Sequence, residues 1–574
     1  MPVARKSRPA PTLLAGLSLA ALLWSGGAVA QAVSGGQIGG QIGAAGGDDR
    51  LAMVSTAQMT TPGARVAAPA LSAFTQAVAE DAAADPALAA FYAARDYRPL
   101  WTAPEDAPRR AALMAALDGA VNHGLPPGRY DAAGLRGRFA AIASERQRGR
   151  LEVAMSRAFL TYAQDVSSGV LDAEKVDDGI KRDQHRPDRQ ALITGFAGAE
   201  RPDHYLRALA PDMGQYARLM KARLDLLHTI AAGGWGPEVS ARSLSPGDTG
   251  AAVVALRDRL QALGYLGRSA TAVYDADIQR AVQEFQRDQG LEPDGVAGEG
   301  TLAEINRSPE DRLEAVLVAL ERMRWMNGTD LGARHVWVNL PDFTARIVDH
   351  GRTTFETVVV IGMNRADRRS PEFSDEMEHM IVNPSWSVPR SITVKEYLPM
   401  MQRNPNAASH INVIDRRGRV VPRSAIDFAA YNARSFPFAM RQPPSRGNAL
   451  GLVKFMFPNP YHIYLHDTPS KSLFQREVRA FSHGCIRVGR PFDLAYALLA
   501  AQSDDPEGEF KRALNSGGER KIELEKPLPV HLVYFTAWPD ARGHVGYRRD
   551  IYGRDGRIFE ALRKAGVELR PVQG

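Results

Sequence analysis

The chain has 574 residues, 44% hydrophobic and 24% charged, an ordinary globular composition whose length predicts several domains. Its 71 basic and 65 acidic residues leave a formal charge of +6, a small excess read as spread along the chain, so no nucleic-acid partner is expected. One cysteine excludes an intramolecular disulfide, and with only scattered histidines beside it no metal site and no cofactor is expected.

At the N-terminus Arg5, Lys6 and Arg8 precede an apolar segment from Leu13 to Trp24 and then Ala28, Val29 and Ala30, the three-part layout of an export signal over 1–30. The apolar segment falls short of the ~20 residues that span a bilayer, which favours cleavage, although retention as an inner-membrane anchor stays open. Residues 31–70 are rich in Gly, Ala, Gln, Ser and Thr and read as a flexible linker.

From 71 to 232 the chain is rich in Ala, Leu and Arg, and helices are predicted around 71–83, 109–122, 147–168 and 203–231. This predicts an all-α domain whose histidines, such as His123 and His204, lack metal-ligand spacing. A compact unit over 243–306 follows, with Val253, Leu256, Leu260 and Leu263 at helical spacing, a second amphipathic helix through Ile278, Ala281, Val282 and Phe285, and a third short helix between Gly298 and Asn306. An amphipathic helix from Pro309 to Met326 is read as part of a linker over 309–333.

Residues 334–555 are predicted to be mainly β, with strands at His335–Leu340, Thr344–Val348 and Thr357–Ile361. An irregular stretch over 395–447 is long enough to be an insertion that covers something. A helix is predicted after Pro491, and strands at Val530–Thr536 and Val545–Tyr552 are expected to complete the sheet. The fold class is therefore multidomain α+β.

The lone cysteine, Cys485, follows Ser482, His483 and Gly484, and His466 ends an alternating apolar run nineteen positions upstream. An unpaired cysteine in an exported protein is an intermolecular link or a reactive thiol, and a thiol becomes a nucleophile beside a base or a positive charge. In an extended strand Tyr461–His466, Ile463 and Leu465 face one side while His462, Tyr464 and His466 face the other. His462 is then about 13 Å from the strand's end and Tyr464 about 7 Å, which favours His466 over His462 as the base. Gly484 permits close backbone approach, so the amides of Gly484 and Cys485 are candidate oxyanion donors, with His483 as a loop-shaping neighbour. Arg487 is either a carboxylate anchor or a surface arginine.

The run Ser482 to Val488, with His466 upstream, resembles the signature of the YkuD family of L,D-transpeptidases. Further matches are Asn383–Pro389, Asn448–Gly451, Lys454 and Phe455, Phe457–Asn459 and Tyr464–Pro469. The 243–306 unit resembles a peptidoglycan-binding domain through Gly247, Asp248, Leu263, Gly264, Tyr265, Phe285, Gln286, Asp294, Gly295 and Thr301, and Phe91–Trp101 is similar to the start of the family's scaffold domain.

The resemblance is to the large periplasmic Gram-negative branch, in which an all-α scaffold and a three-helix peptidoglycan-binding domain precede a YkuD-like catalytic domain. It implies a thioester on Cys485 with His466 as base, peptidoglycan stem peptides as partners, 3-3 cross-links as product, and acylation by carbapenems. It also implies that Ser482, His483, Gly484 and Asp467 support the site and that Arg487, Tyr464, Trp386 and Asn448 contact substrate. Many relatives have glycine where this chain has Asp467, which leaves open which carbonyl orients His466. An L,D-carboxypeptidase, a ligase of envelope proteins to the wall, and a non-catalytic wall-binding protein are the alternatives.

Overall fold

The structure, a computed structural model, describes residues 71–569; the signal and linker expected over 1–70 lie outside the described residues. The chain is multidomain α+β, with a helical N-terminal region, a small helical module and a mostly β C-terminal region. Among the described residues no helix is long and apolar enough to cross a membrane.

The helices of the N-terminal region start where side chains can cap them: Ser72, Asp85, Ser144 and Asp188 each accept an amide of the first turn. They surround the helix Glu145–Ser168, whose buried Glu152 accepts the amides of Leu100, Trp101 and Thr102 and the hydroxyls of Tyr92 and Thr102. These donors offset the cost of burying a carboxylate. The single helix expected over 203–231 is two, Pro202–Arg207 and Gly214–Ala231, because Pro211 in the intervening loop cannot continue the first.

In the next module the helices Ala251–Ala262, Ala276–Asp288 and Glu299–Ile305 enclose Val253, Leu256, Leu260, Ile278, Val282 and Phe285. Its motif residues meet at one buried amide. The Gln286 side chain donates to Asp294 at 2.8 Å and to Thr301 at 3.1 Å, and accepts the Gly295 amide at 2.9 Å. Gly295 has φ +72, so the turn requires glycine there. The signature that identifies the module therefore holds its fold.

The helix Pro309–Trp325 is not the linker its position suggested. Ser308 and Asp311 form a capping box, and beyond its first two turns the helix is enclosed, with Val316 to Trp325 all buried. Arg324 donates to the carbonyl of His123 at 2.8 Å and pairs with Glu321 at 2.7 Å, while Arg322 pairs with Glu372 and, at 2.9 Å, with Asp555. Glu321 also accepts the Leu171 amide at 2.8 Å. One helix thus ties the helical region to the β region by buried charge, an environment that amphipathic spacing alone does not reveal.

The β region contains fourteen strands: β1 Arg334–Asn339, β2 Thr344–Asp349, β3 Arg352–Gly362, β4 Phe373–Val382, β5 Trp386–Ser387, β6 Asn412–Ile414, β7 Ala439–Gln442, β8 Val453–Met456, β9 Leu465–His466, β10 Ala480–Ser482, β11 Ile486–Val488, β12 Arg520–Val533, β13 Ala537–Pro539 and β14 Val545–Tyr547. The main sheet runs β10-β3-β11-β9-β8-β4-β12-β1-β2, and β2 also pairs with β3, so the ladder closes on itself. Val338, Ile347, Ile361, Met380, Phe455, Leu465, Ile486 and Leu532 fill its core. The expected strand Val545–Tyr552 does not complete this sheet. Only Val545–Tyr547 is extended, and it pairs with β13 in a separate ribbon.

The insertion expected over 395–447 has its own three-stranded sheet, β5-β7-β6, and its own core through Trp386, Leu398, Met401, Val413, Phe428, Phe436 and Met440. Its packing therefore starts at Trp386, nine residues earlier than expected, and reaches Leu450. Between 386 and 450 lie ten basic and three acidic residues, an excess larger than the whole chain's +6. The positive charge is concentrated on this cap rather than spread along the chain.

Candidate active site

Cys485 sits in the turn between β10 and β11, beside the end of β3. Two hydroxyls shape that turn. Ser482 Oγ donates to the Cys485 carbonyl at 2.6 Å and accepts the Gly484 amide at 3.1 Å. Ser370 Oγ donates to the Gly484 carbonyl at 2.6 Å and accepts the Gly362 amide at 3.0 Å. Gly484 has φ +117, a conformation that L side chains rarely adopt.

Strand pairing assembles the rest. In the parallel β9–β11 ladder Ile486 lies beside Leu465 and Arg487 beside His466, and in the antiparallel β8–β9 ladder Lys454 lies beside His466. Ile486 and Leu465 point into the core at 0% exposure. By alternation, Tyr464, His466, Cys485 and Arg487 share the other face. That face is the floor of a cleft of about 880 Å³, lined also by Lys454, His462, His483 and, from the cap, Trp386 and Tyr397. Trp386 meets Tyr397 edge-on, with ring centroids 6.3 Å apart.

His466 is buried, and its Nδ1 donates to the carbonyl of Asp467. That carbonyl only accepts, so Nδ1 carries the proton and Nε2 keeps a lone pair. The Asp467 carboxylate accepts the amides of Leu452 at 2.9 Å and Thr468 at 2.7 Å and pairs with Lys471. Asp467 therefore supplies, from its backbone, the carbonyl that orients the imidazole. Burial, reinforced by the Arg487 guanidinium, pushes the His466 pKa down to about 3.

Burial likewise pushes the half-buried Cys485 thiol up to about 11, against hydrogen bonding from Tyr464 and the charges of Arg487 and Lys454. The resting pair is thus a neutral thiol and a neutral imidazole. The thiol donates to the carbonyl of His462 at 3.5 Å, and among the described residues it makes no hydrogen bond to His466. This corrects the expected strand Tyr461–His466. Only Leu465 and His466 are paired, His462 has φ +57, and the bend brings His462 to the thiol that an extended chain would keep about 13 Å away.

Three further expectations change. The Gly484 amide is occupied by Ser482, so of the two candidate oxyanion donors only the Cys485 amide is without an acceptor among the described residues. Asn448 is fully buried beneath the cap, donating to the carbonyls of Pro384 at 3.1 Å and Pro443 at 2.9 Å and accepting the Leu450 amide at 2.8 Å, so it holds the cap's base and touches no cleft. His483 turns to the cap, where Glu396 accepts from His483 Nε2 at 2.7 Å and from Arg368 at 2.6 Å.

Sequence reasoning missed Lys454, Ser370 and Glu396. Lys454 was visible only as part of a motif, and the other two join the site across 114 and 87 positions. Arg487 has no carboxylate partner among the described residues, and its buried Nε lacks an acceptor. Among the described residues no three His, Cys, Asp or Glu side chains gather as metal ligands.

Residues 333–502 match a family model described as the YkuD L,D-transpeptidase catalytic domain. The chain carries a YkuD-family L,D-transpeptidase domain. Beside this YkuD domain, residues 86–222 match a scaffold domain and 249–305 a "Putative peptidoglycan binding domain". A Haemophilus influenzae protein described as a "Putative L,D-transpeptidase" is 33% identical over 225 residues. The similarity covers 39% of this chain and 45% of that relative, so the chain spans less than half the relative's length. Crystallised L,D-transpeptidases from Xylanimonas cellulosilytica and Stackebrandtia nassauensis are each 16% identical over 52% of this chain. The overlays cover 98% and 96% of those chains, with TM-scores of 0.16 and 0.20.

Proposed function

We propose that this protein forms 3-3 cross-links in peptidoglycan through a thioester on Cys485, acting in the cell envelope. The observation that carries the reading is that a lone thiol, a tautomerically defined histidine and two cations, Arg487 and Lys454, share one face of one cleft.

A tetrapeptide stem enters with its carboxylates toward Arg487 and Lys454. The thiol leaves the His462 carbonyl and gives its proton to His466 Nε2, a contact that tightens when substrate binds. The sulfur attacks the carbonyl of the diamino acid's L-centre, and the Cys485 amide donates to the oxyanion. The intermediate collapses by breaking the amide bond to the terminal D-alanine, whose nitrogen takes the proton from His466. The side-chain amine of a second stem then attacks the thioester, loses its proton to His466 and expels the thiolate, leaving an amide cross-link. Trp386 and Tyr464 line the channel for the stem, and the domain at 249–305 holds the wall nearby.

Intact-mass measurement with a carbapenem tests the nucleophile. One adduct is expected on the wild type and none on Cys485→Ala; adducts on both proteins, or on neither, would sink the assignment.

A further inference from the structure

We propose that Ser370 is a positioning residue for acyl transfer, fixing the Gly484–Cys485 peptide so that the Cys485 amide faces the reacting carbonyl oxygen. The inference rests on the thioester chemistry proposed above and names the group that prepares its oxyanion donor.

Ser370 is fully buried, and its hydroxyl is committed at both ends. The Gly362 amide can only donate to Oγ, at 3.0 Å, so the hydroxyl proton goes to the Gly484 carbonyl, at 2.6 Å. In a trans peptide the C=O and the N–H point in opposite directions. Drawing the Gly484 carbonyl inward to Ser370 therefore turns the Cys485 N–H away from the interior. The neighbouring amides are occupied, Gly484's by Ser482 Oγ and Ile486's by the Tyr464 carbonyl at 3.1 Å. The Cys485 amide is left over, and its orientation is set from behind.

Ser370 is itself held. Its amide donates to the Tyr552 hydroxyl at 3.3 Å, and its carbonyl accepts from Arg554 at 3.0 Å. Arg554 is fully buried against Glu372 at 3.2 Å and Asp177 at 3.5 Å, and Asp177 belongs to the helical region. A donor fixed before the reaction needs no reorganisation during it. Replacing Ser370 by Ala leaves the Gly484 carbonyl and the Gly362 amide unpartnered and lets the peptide tilt.

The test uses the full chain and two reactions of one sulfur. Alkylation by iodoacetamide displaces iodide at a saturated carbon and develops no oxyanion. Acylation by p-nitrophenyl acetate passes through a tetrahedral oxyanion and releases nitrophenolate. With Ser370→Ala, acylation is expected to fall roughly tenfold to a hundredfold, less than the 10²–10³ of deleting a donor outright, while alkylation stays within about twofold. Ser370→Thr, which keeps the hydroxyl, restores most of the acylation rate. Equal losses in both reactions, or wild-type acylation in Ser370→Ala, would overturn the proposal. A wild type that is acylated by the ester but releases no D-alanine from a tetrapeptide would count against the peptidoglycan reading and leave the Ser370 result standing.

Discussion

Arg487 lies directly beside His466 in the parallel β9–β11 ladder, and its charge adds to burial in holding the imidazole neutral down to about pH 3. The same guanidinium pulls against the burial that raises the Cys485 thiol to about 11. Replacing Arg487 by Met should therefore move the two groups the same way, upward. Histidine NMR titration should show the His466 midpoint rising, and iodoacetamide should alkylate Cys485 more slowly at pH 8. Tyr464→Phe should slow alkylation too, because the Tyr464 hydroxyl opposes the burial that raises the thiol. Faster alkylation in either variant would contradict the assigned electrostatics.

Three histidines whose pKa values are lowered by burial make acid a specific threat. Burial lowers His466 to about 3 and His123 and His531 to about 4. An unfolded chain binds protons at these groups near pH 6.5, whereas the native state does not. Their contribution is complete above about pH 6.5 and is lost as pH falls through the folded values near 4 and 3. The unfolding free energy measured in urea should fall between pH 7 and 5 by an amount on the order of 1–2 kcal/mol per histidine. His531→Gln should flatten that slope, since glutamine can still donate to the Leu331 carbonyl that His531 contacts at 3.0 Å.

The buried pairing of Arg322 with Glu372 and Asp555 should respond asymmetrically. Arg322→Met leaves the buried Asp555 carboxylate without a cation and Glu372 with Arg554 alone, and should cost roughly 3–5 kcal/mol in denaturant unfolding. Adding Glu372→Gln and Asp555→Asn to that variant should recover part of the loss. Additive losses across the three substitutions would mean that the charges do not act as a unit.

Local patterns disclosed the elements and the reactive run; long-range pairing supplied the rest. Period-two alternation put Tyr464 and His466 on one face of their run, and the pairing of β9 with β11, which no local pattern discloses, brings Cys485 and Arg487 to that face. The same alternation misplaced His462, because a left-handed backbone at that residue breaks the strand it assumed. The Gly484 amide and Asn448 looked available since their partners, the Ser482 hydroxyl and the Pro384 and Pro443 carbonyls, depend on turns that spacing does not describe. The Pro309–Trp325 helix read as a linker from its amphipathic spacing between two domains, whereas Arg322 and Arg324 are buried and reach Asp555 and the His123 carbonyl on other elements.

The most direct test of the central claim is intact-mass analysis after brief incubation with a soluble tetrapeptide stem and no acceptor. The predicted result is one adduct equal to the stem less D-alanine, located on Cys485 by peptide mapping, discharged by added acceptor and absent from Cys485→Ala. D-alanine release by Cys485→Ala at the wild-type rate, or an adduct on any other residue, would contradict it.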